Sequence, residues 1–217
     1  MKVAVSYSGG KESALSLYYA IKAGHEPIAL ITTYNTGAGR SHFHGLNEEV
    51  LNAVSRSVNV PIWLVKTTSQ DYLKNFEAAL MRAKNAGVQA CVFGDIDIQG
   101  HFDWCTARCE AVGIKAIFPL WGKVRKDVVH ELIESGFVAN LTVVNTDYLD
   151  ESFLGKRLTK ELAQAIEATG ADICGENGEY HTFVSDCSIF AHPVKFELGE
   201  ILHKDNYAMM EVTQNGK

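Results

Sequence analysis

The residues best suited to chemistry stand at the start of the chain, where Ser8-Gly9-Gly10-Lys11-Glu12-Ser13 follows the apolar run Val3 to Tyr7 and opens a helical pattern. The run is rich in β-branched and aromatic residues and reads as a buried strand, whereas Ala14, Leu15, Leu17, Tyr18 and Ile21 recur at helical spacing. A turn between a strand and a helix exposes the helix's first amide N–H groups and the positive end of its dipole, and both favour an anion. Gly9 and Gly10 allow close backbone approach, Ser8 and Ser13 offer hydroxyls, and Lys11 supplies a charge. The chemistry this suggests is phosphate binding. The spacing is not that of a Walker A loop, G-x-x-x-x-G-K-[ST].

A second polar concentration lies at Cys174-Gly175-Glu176-Asn177-Gly178-Glu179-Tyr180-His181-Thr182-Phe183. Two carboxylates three residues apart are oxygen donors suited to Mg²⁺ or to a substrate amine. Asn-Gly between strand-like residues is equally a signal for a tight hairpin, and spacing alone leaves the two readings level. Three weaker signals accompany these. Gly37-Ala38-Gly39-Arg40 suggests a loop that brings Arg40, His42 and His44 to a substrate or phosphate. His101, Cys105 and Cys109 repeat every four residues, but the outer two stand roughly 12 Å apart on a helix, too far to share one tetrahedral ion. Buried packing is the expectation for them, and likewise for Cys174 and Cys187.

The elements that position these groups follow from alternation. Strand-like runs at Val3 to Tyr7, Ile28 to Tyr34, Ile62 to Val65, Ala90 to Phe93 and Lys115 to Phe118 alternate with helical segments at Lys11 to Ala23, Leu46 to Ser57, Gln70 to Ala86 and His101 to Val112. This predicts an α/β fold with a parallel sheet, whose ligand crevice lies at the carboxyl ends of the strands. Beyond Pro119 the pattern becomes a helix over Lys126 to Ser135, a strand over Val138 to Val144, a helix over Thr159 to Thr169, and short antiparallel strands between Thr182 and Val212. The expected division is 1–119 and 120–217.

Composition sets the outer limits. The chain has 217 residues, of which 47% are hydrophobic and 21% charged, with no apolar stretch of membrane-spanning length. A first strand that begins at once leaves no room for a secretory signal, and five irregularly spaced cysteines do not form a disulfide framework, so a cytoplasmic location is expected. A formal charge of −6 argues against a general nucleic-acid binder.

The Ser8 to Ser13 loop resembles the SGGxDS loop of the PP-loop ATP pyrophosphatases, which split ATP into AMP and pyrophosphate. With it, Gly94-Asp95-Ile96, Pro119-Leu120-Trp121-Gly122, Leu149 to Lys156 and Gly175 to Phe183 are similar to the diphthine-ammonia ligase (diphthamide synthase) family along nearly the whole chain. The resemblance implies an adenine-nucleotide α-hydrolase (HUP) sheet sandwiched by helices, followed by a smaller α+β domain that binds the acceptor. It implies a carboxylate–ammonia ligase using ATP and Mg²⁺: a carboxylate is adenylated, pyrophosphate leaves, and ammonia displaces AMP to form an amide.

On this pattern Tyr7, Ser8, Gly9, Gly10, Lys11, Glu12 and Ser13 hold the phosphates. Thr32, Thr33 and Tyr34 receive the adenine, and Gly94 completes the nucleotide site. Lys11, Glu176, Glu179 and His181 carry the catalytic roles, the two glutamates positioning Mg²⁺ or ammonia and His181 moving a proton. No residue is singled out as a metal ligand. The implied acceptor is a carboxylate of the kind carried by a modified translation elongation factor, and a homodimer is one assembly the family pattern allows. Position 12 is Glu where the superfamily has Asp, and Asn177 and His181 also depart from the EGGE-type segment. Two other readings keep the loop: a nucleotide-binding regulatory or sensor protein without turnover, and a PP-loop enzyme that modifies tRNA.

Overall fold

The computed structural model describes residues 1–68 and 70–215, so the last two positions of the expected 120–217 domain lie outside the described residues. By internal contact the chain forms two compact units. The first comprises Met1–Ser8, Glu12–His42 and Asn59–Lys123; the second comprises Gly9–Lys11, Phe43–Val58 and Val124–Lys217. Gly9–Lys11 and Phe43–Val58 thus belong with the second unit, although a cut at 119/120 leaves both in the first.

The first unit is an α/β layer structure. Its sheet contains β1 (Lys2–Ser6), β2 (Glu26–Asn35), β3 (Arg40–Ser41), β4 (Ile62–Thr67), β5 (Ala90–Val92) and β6 (Lys115–Ile117). β1 lies between β2 and β5, parallel to both; β5 pairs in parallel with β6, and β2 in parallel with β4. The two-residue β3, absent from the sequence expectation, pairs antiparallel with the end of β2. Three of the helices, α1 (Lys11–Lys22), α3 (Tyr72–Asn85) and α4 (Gln99–Val112), connect the parallel strands. Val3, Ala4 and Val5 of β1 and Ala90, Cys91 and Val92 of β5 are fully buried, as expected for parallel strands covered on both faces. Neighbours on either side of β1 make its carboxyl end a topological switch point, where open α/β sheets take their ligands.

The core of this unit answers the cysteine question. Cys91, Cys105 and Cys109 pack with Phe76, Leu80, Phe93 and Ile114. Cys105 Sγ also donates to Asp95 Oδ2 at 3.8 Å, and His101 Nδ1 lies 3.3 Å from Asp95 Oδ1. α4 stops where Gly113 turns left-handed at φ 72°, a conformation that costs a side-chain-bearing residue energy but glycine little.

The second unit is built on an antiparallel sheet in the order β8 (Tyr180–Asp186), β7 (Val138–Asn145), β10 (Tyr207–Gln214), β9 (Phe196–Lys204). Helices α2 (Glu48–Val58), α5 (Arg125–Glu134) and α6 (Lys160–Ala168) accompany it. α2 carries Val50, Leu51, Val54 and Val58 on its buried side and packs against β10. Side-chain bonds tie its neighbourhood to the sheet: Asn47 Nδ2 donates to Val212 O at 3.3 Å, and Ser57 Oγ donates to His192 O. Thr159 caps α6 by accepting from Leu162 N at 3.2 Å. Among the described residues no helix is long and apolar enough to cross a membrane.

Candidate functional site

In the first unit the expected nucleotide residues gather at the carboxyl ends of β1, β2 and β5. Tyr7 N donates to Ile31 O at 2.9 Å, and Thr32 Oγ1 donates to Tyr7 O at 2.5 Å, so the exit of β1 is fixed to β2. Ser8 Oγ and Ser13 Oγ lie 3.2 Å apart. The Tyr34 hydroxyl donates to Gly39 O, and Thr33 hydrogen-bonds Tyr72 at the start of α3. A Cβ at Gly94 would come within 3.0 Å of the Glu12 backbone, so only glycine lets the exit of β5 sit against the first turn of α1. Gly122 N donates to Ile96 O at 2.8 Å, which joins the Pro119 to Gly122 motif to the segment after Gly94.

The second unit assembles the remaining residues. Gly9 has φ 89°, and Gly9 O accepts from Val184 N at 2.9 Å. Lys11 N donates to Thr182 Oγ1 at 3.1 Å, so the glycine turn is fastened to β8 at both ends. On its other side His44 and Leu46 press close: a Cβ at Gly9 would stand 2.3 Å from Leu46 Cδ1, and one at Gly10 only 2.1 Å from His44 Cε1. The two glycines therefore serve packing as well as the anion approach read from sequence. Lys11 is buried, with Nζ 4.5 Å from the centre of the Tyr180 ring, a cation–π contact that holds the ammonium in place.

His44 is buried, its Nδ1 2.7 Å from Thr182 O. A carbonyl only accepts, so Nδ1 carries the proton and the neutral ring's lone pair sits on Nε2. Burial, with Lys11 nearby and against the opposing pull of the Thr182 carbonyl, lowers the His44 pKa to about 4. The His181 ring is 4.9 Å from that of His44 and 6.5 Å from Phe43.

The acidic segment is a folded loop entering β8, not a two-stranded hairpin: turns precede Glu176, and Gly178 takes φ 90°. Glu179 is 2% exposed, and its carboxylate accepts from Asp172 N at 3.1 Å and from Asn177 N and Nδ2, each at 3.0 Å. Asp172 in turn accepts from Cys174 N and Glu176 N and is paired with Arg125 Nη1 at 2.5 Å. Two carboxylates thus clip the loop from opposite ends, and Glu176 rides on it half-buried. Sequence reasoning missed Asp172, Arg125, Tyr180 and Thr182. Their importance lies in contacts distant in the chain, although Tyr180 and Thr182 adjoin a residue it had marked.

Of the other loop candidates, Arg40 Nε donates to Ala38 O, and His42 Nε2 bonds Thr67 Oγ1 at 2.6 Å. Burial lowers the His42 pKa.

Sequence profiles decide the lineage. Residues 1–116 match the diphthamide synthase N-terminal domain and residues 125–216 the diphthamide synthase C-terminal domain. The chain belongs to the diphthamide synthase family. Among curated relatives, the human protein named diphthine–ammonia ligase is 24% identical over 93% of this chain and 85% of its own length. The zebrafish protein (Danio rerio) of that name is 23% identical over 95% and 91%. The Schizosaccharomyces pombe namesake is 24% identical over 88% of this chain, which spans only 35% of it. A solved structure titled as a predicted subunit of tRNA methyltransferase from Methanocaldococcus jannaschii overlays with a TM-score of 0.49 at 16% identity, covering 87% of this chain and 98% of that one. Membership makes this a ligase-family chain, and its first unit is an α/β layer structure.

Proposed function

We propose that this chain is an ATP-dependent amide-forming ligase that converts a carboxylate to an amide with ammonia, releasing AMP and pyrophosphate. The observation that carries the reading is the glycine turn, where a buried lysine held against the Tyr180 ring opens helix α1. That donor set suits a polyphosphate: a fixed cation, a helix N-terminus and two flanking hydroxyls, with glycine where bulk would intrude.

In this mechanism an acceptor carboxylate oxygen attacks the α-phosphorus, and the bond to the β-phosphate oxygen breaks. The pyrophosphate carries off the electron pair, its charge met by the Lys11 ammonium and the positive end of α1. Thr32, Thr33 and Tyr34 take the adenine, Gly94 lets the exit of β5 pack against the first turn of α1, and Tyr7 holds the exit of β1. Ammonia nitrogen then attacks the acyl carbon, AMP leaves with its oxygen, and the nitrogen sheds a proton. His181, half-buried beside His44, is the imidazole assigned to take that proton. Glu176 would hold Mg²⁺ or the incoming ammonia, and the ion's part would be to offset phosphate charge. Glu179 is assigned to positioning, since its oxygens serve the loop that presents Glu176.

The relatives' names make diphthine the first acceptor to try, carried, as the family resemblance implies, on a modified translation elongation factor. Residues 1–119 then serve the nucleotide and 120–217 the acceptor. Incubation with ATP, Mg²⁺, ammonium and diphthine-bearing elongation factor should yield AMP, pyrophosphate and amide; ADP and phosphate as products overturn the mechanism.

A further inference from the structure

His44 lies outside the machinery just described, yet it packs directly against Gly10 of the turn. Its ring occupies the space in which a side chain at position 10 would have to sit, with Cε1, Nδ1 and Nε2 at 2.1, 2.8 and 2.9 Å from an ideal Cβ. It is anchored by Nδ1 to the carbonyl of Thr182, the residue whose hydroxyl receives the Lys11 amide. Thr182 is therefore held on one polar atom by the turn and on another by His44. Gly10 lies against the imidazole, and Gly9 is linked to β8 through Val184. Gly45, with φ 66°, sets the chain direction next to the ring, where a Cβ would strike Met209 Sδ at 2.3 Å. The imidazole is thus locked by its own backbone and by its acceptor, and it cannot swing aside cheaply.

We propose that His44 is a positioning residue for the Gly9–Lys11 turn, a neutral wedge that fixes Gly10 and the start of β8 in one arrangement and so holds Lys11 ready for phosphate. The effect on ATP rests on the ligase reading above; the wedge itself does not. Without the ring, Gly10 is freed to sample other conformations, and the fraction of turns competent for phosphate falls. Apparent affinity for ATP falls by that fraction, while bound ATP still reacts from the competent turn.

Three measurements on the full chain test this. In a thermal double-mutant cycle, Gly10→Ala alone should lower the melting temperature, because the new Cβ meets the imidazole, and should cost little more once His44→Ala has opened the space. Independent, additive losses overturn the wedge. In the AMP-release assay His44→Ala should raise the ATP KM about tenfold with kcat changed less than about twofold, and His44→Asn, whose amide N–H reproduces the Nδ1 donor but not the rest of the ring, should recover part of the loss. An unchanged KM, or no recovery in a folded Asn variant, overturns the positioning role. Nitrogen NMR of the wild-type ring should show a neutral imidazole protonated at Nδ1 at neutral pH, and an Nε2–H tautomer overturns it. If the wild type releases no AMP at all, the ligase reading fails, and the thermal cycle and the tautomer still decide what His44 does.

Discussion

Acid should unfold this protein partly through a single buried ring. His44 has a pKa near 4 in the native structure against 6.5 for an ordinary histidine, because burial disfavours the cation and Lys11 repels it, with the Thr182 carbonyl opposing. His181 lies against it on β8, so a proton on either ring adds to the repulsion from Lys11. The sign follows from proton counting: between pH 6.5 and 4 the unfolded chain binds a proton at this position that the native chain refuses, so stability rises with pH across that window. The contribution is complete above 6.5 and is lost progressively as pH falls toward 4. With these two values the loss between neutral pH and about pH 4.5 is about 2–3 kcal/mol, a large share of the 5–15 kcal/mol typical of a folded domain. Urea unfolding followed by far-ultraviolet circular dichroism at the two pH values measures the total change, in which carboxylates also take part. The difference between wild type and His44→Asn isolates the ring, and the variant should lose about 2 kcal/mol less on acidification. Equal losses in the two proteins, or an NMR titration placing the His44 pKa near 6.5, would refute the reasoning.

Other expectations follow from single contacts. Lys11→Ala should weaken ATP binding by about 1.5–3 kcal/mol, measured by calorimetry, since a charge-assisted phosphate contact is lost; unchanged affinity counts against the turn as the phosphate site. Glu179→Gln places an amide N–H₂ among three N–H donors in a buried pocket, and a loss of about 1–3 kcal/mol in chemical denaturation is expected, with no loss contradicting the clip. Gly9→Ala combines φ 89° with a Cβ 2.3 Å from Leu46 Cδ1, so it should destabilise by more than about 1–2 kcal/mol, and wild-type stability there would show that the turn yields. Burial raises the pKa of the Cys91 and Cys105 thiols and lifts Cys187 to about 11, so native protein should react slowly with a thiol reagent near pH 8 and quickly after unfolding. Fast native labelling of any of the three would contradict their burial.

The sequence was readable where the physics is local. β1, the glycine pair and α1 follow from composition over about two turns of chain, and Val3 to Tyr7 differs from the observed Lys2–Ser6 by one residue at each end. The later helices, such as Lys126 to Ser135 against Arg125–Glu134, were legible by the same apolar periodicity. β8 was seen only from Thr182 onward because Tyr180 and Thr182 to Ser185 are buried, which erases the alternation that marks a half-exposed strand. The Asn-Gly signal at Asn177 suggested a hairpin, yet its turn closes a loop that Asp172 and Glu179 clip through side chains. Glu179 shows the limit of residue-type reasoning at the site. A carboxylate beside glycine reads as a ligand for cations, and only the fold reveals three backbone and amide donors already on it. His44 is the converse, a residue marked as a phosphate contact that the structure turns toward Thr182 and Gly10, contacts whose sequence separation no spacing rule spans.

The central claim concerns which bond of ATP breaks, and product analysis tests it most directly. With ATP labelled at the α-phosphate, Mg²⁺, isotopically labelled ammonium and diphthine-bearing elongation factor, the account predicts labelled AMP in step with pyrophosphate and with nitrogen incorporated into the acceptor. Labelled ADP with free phosphate, or amide formation without AMP, would contradict it.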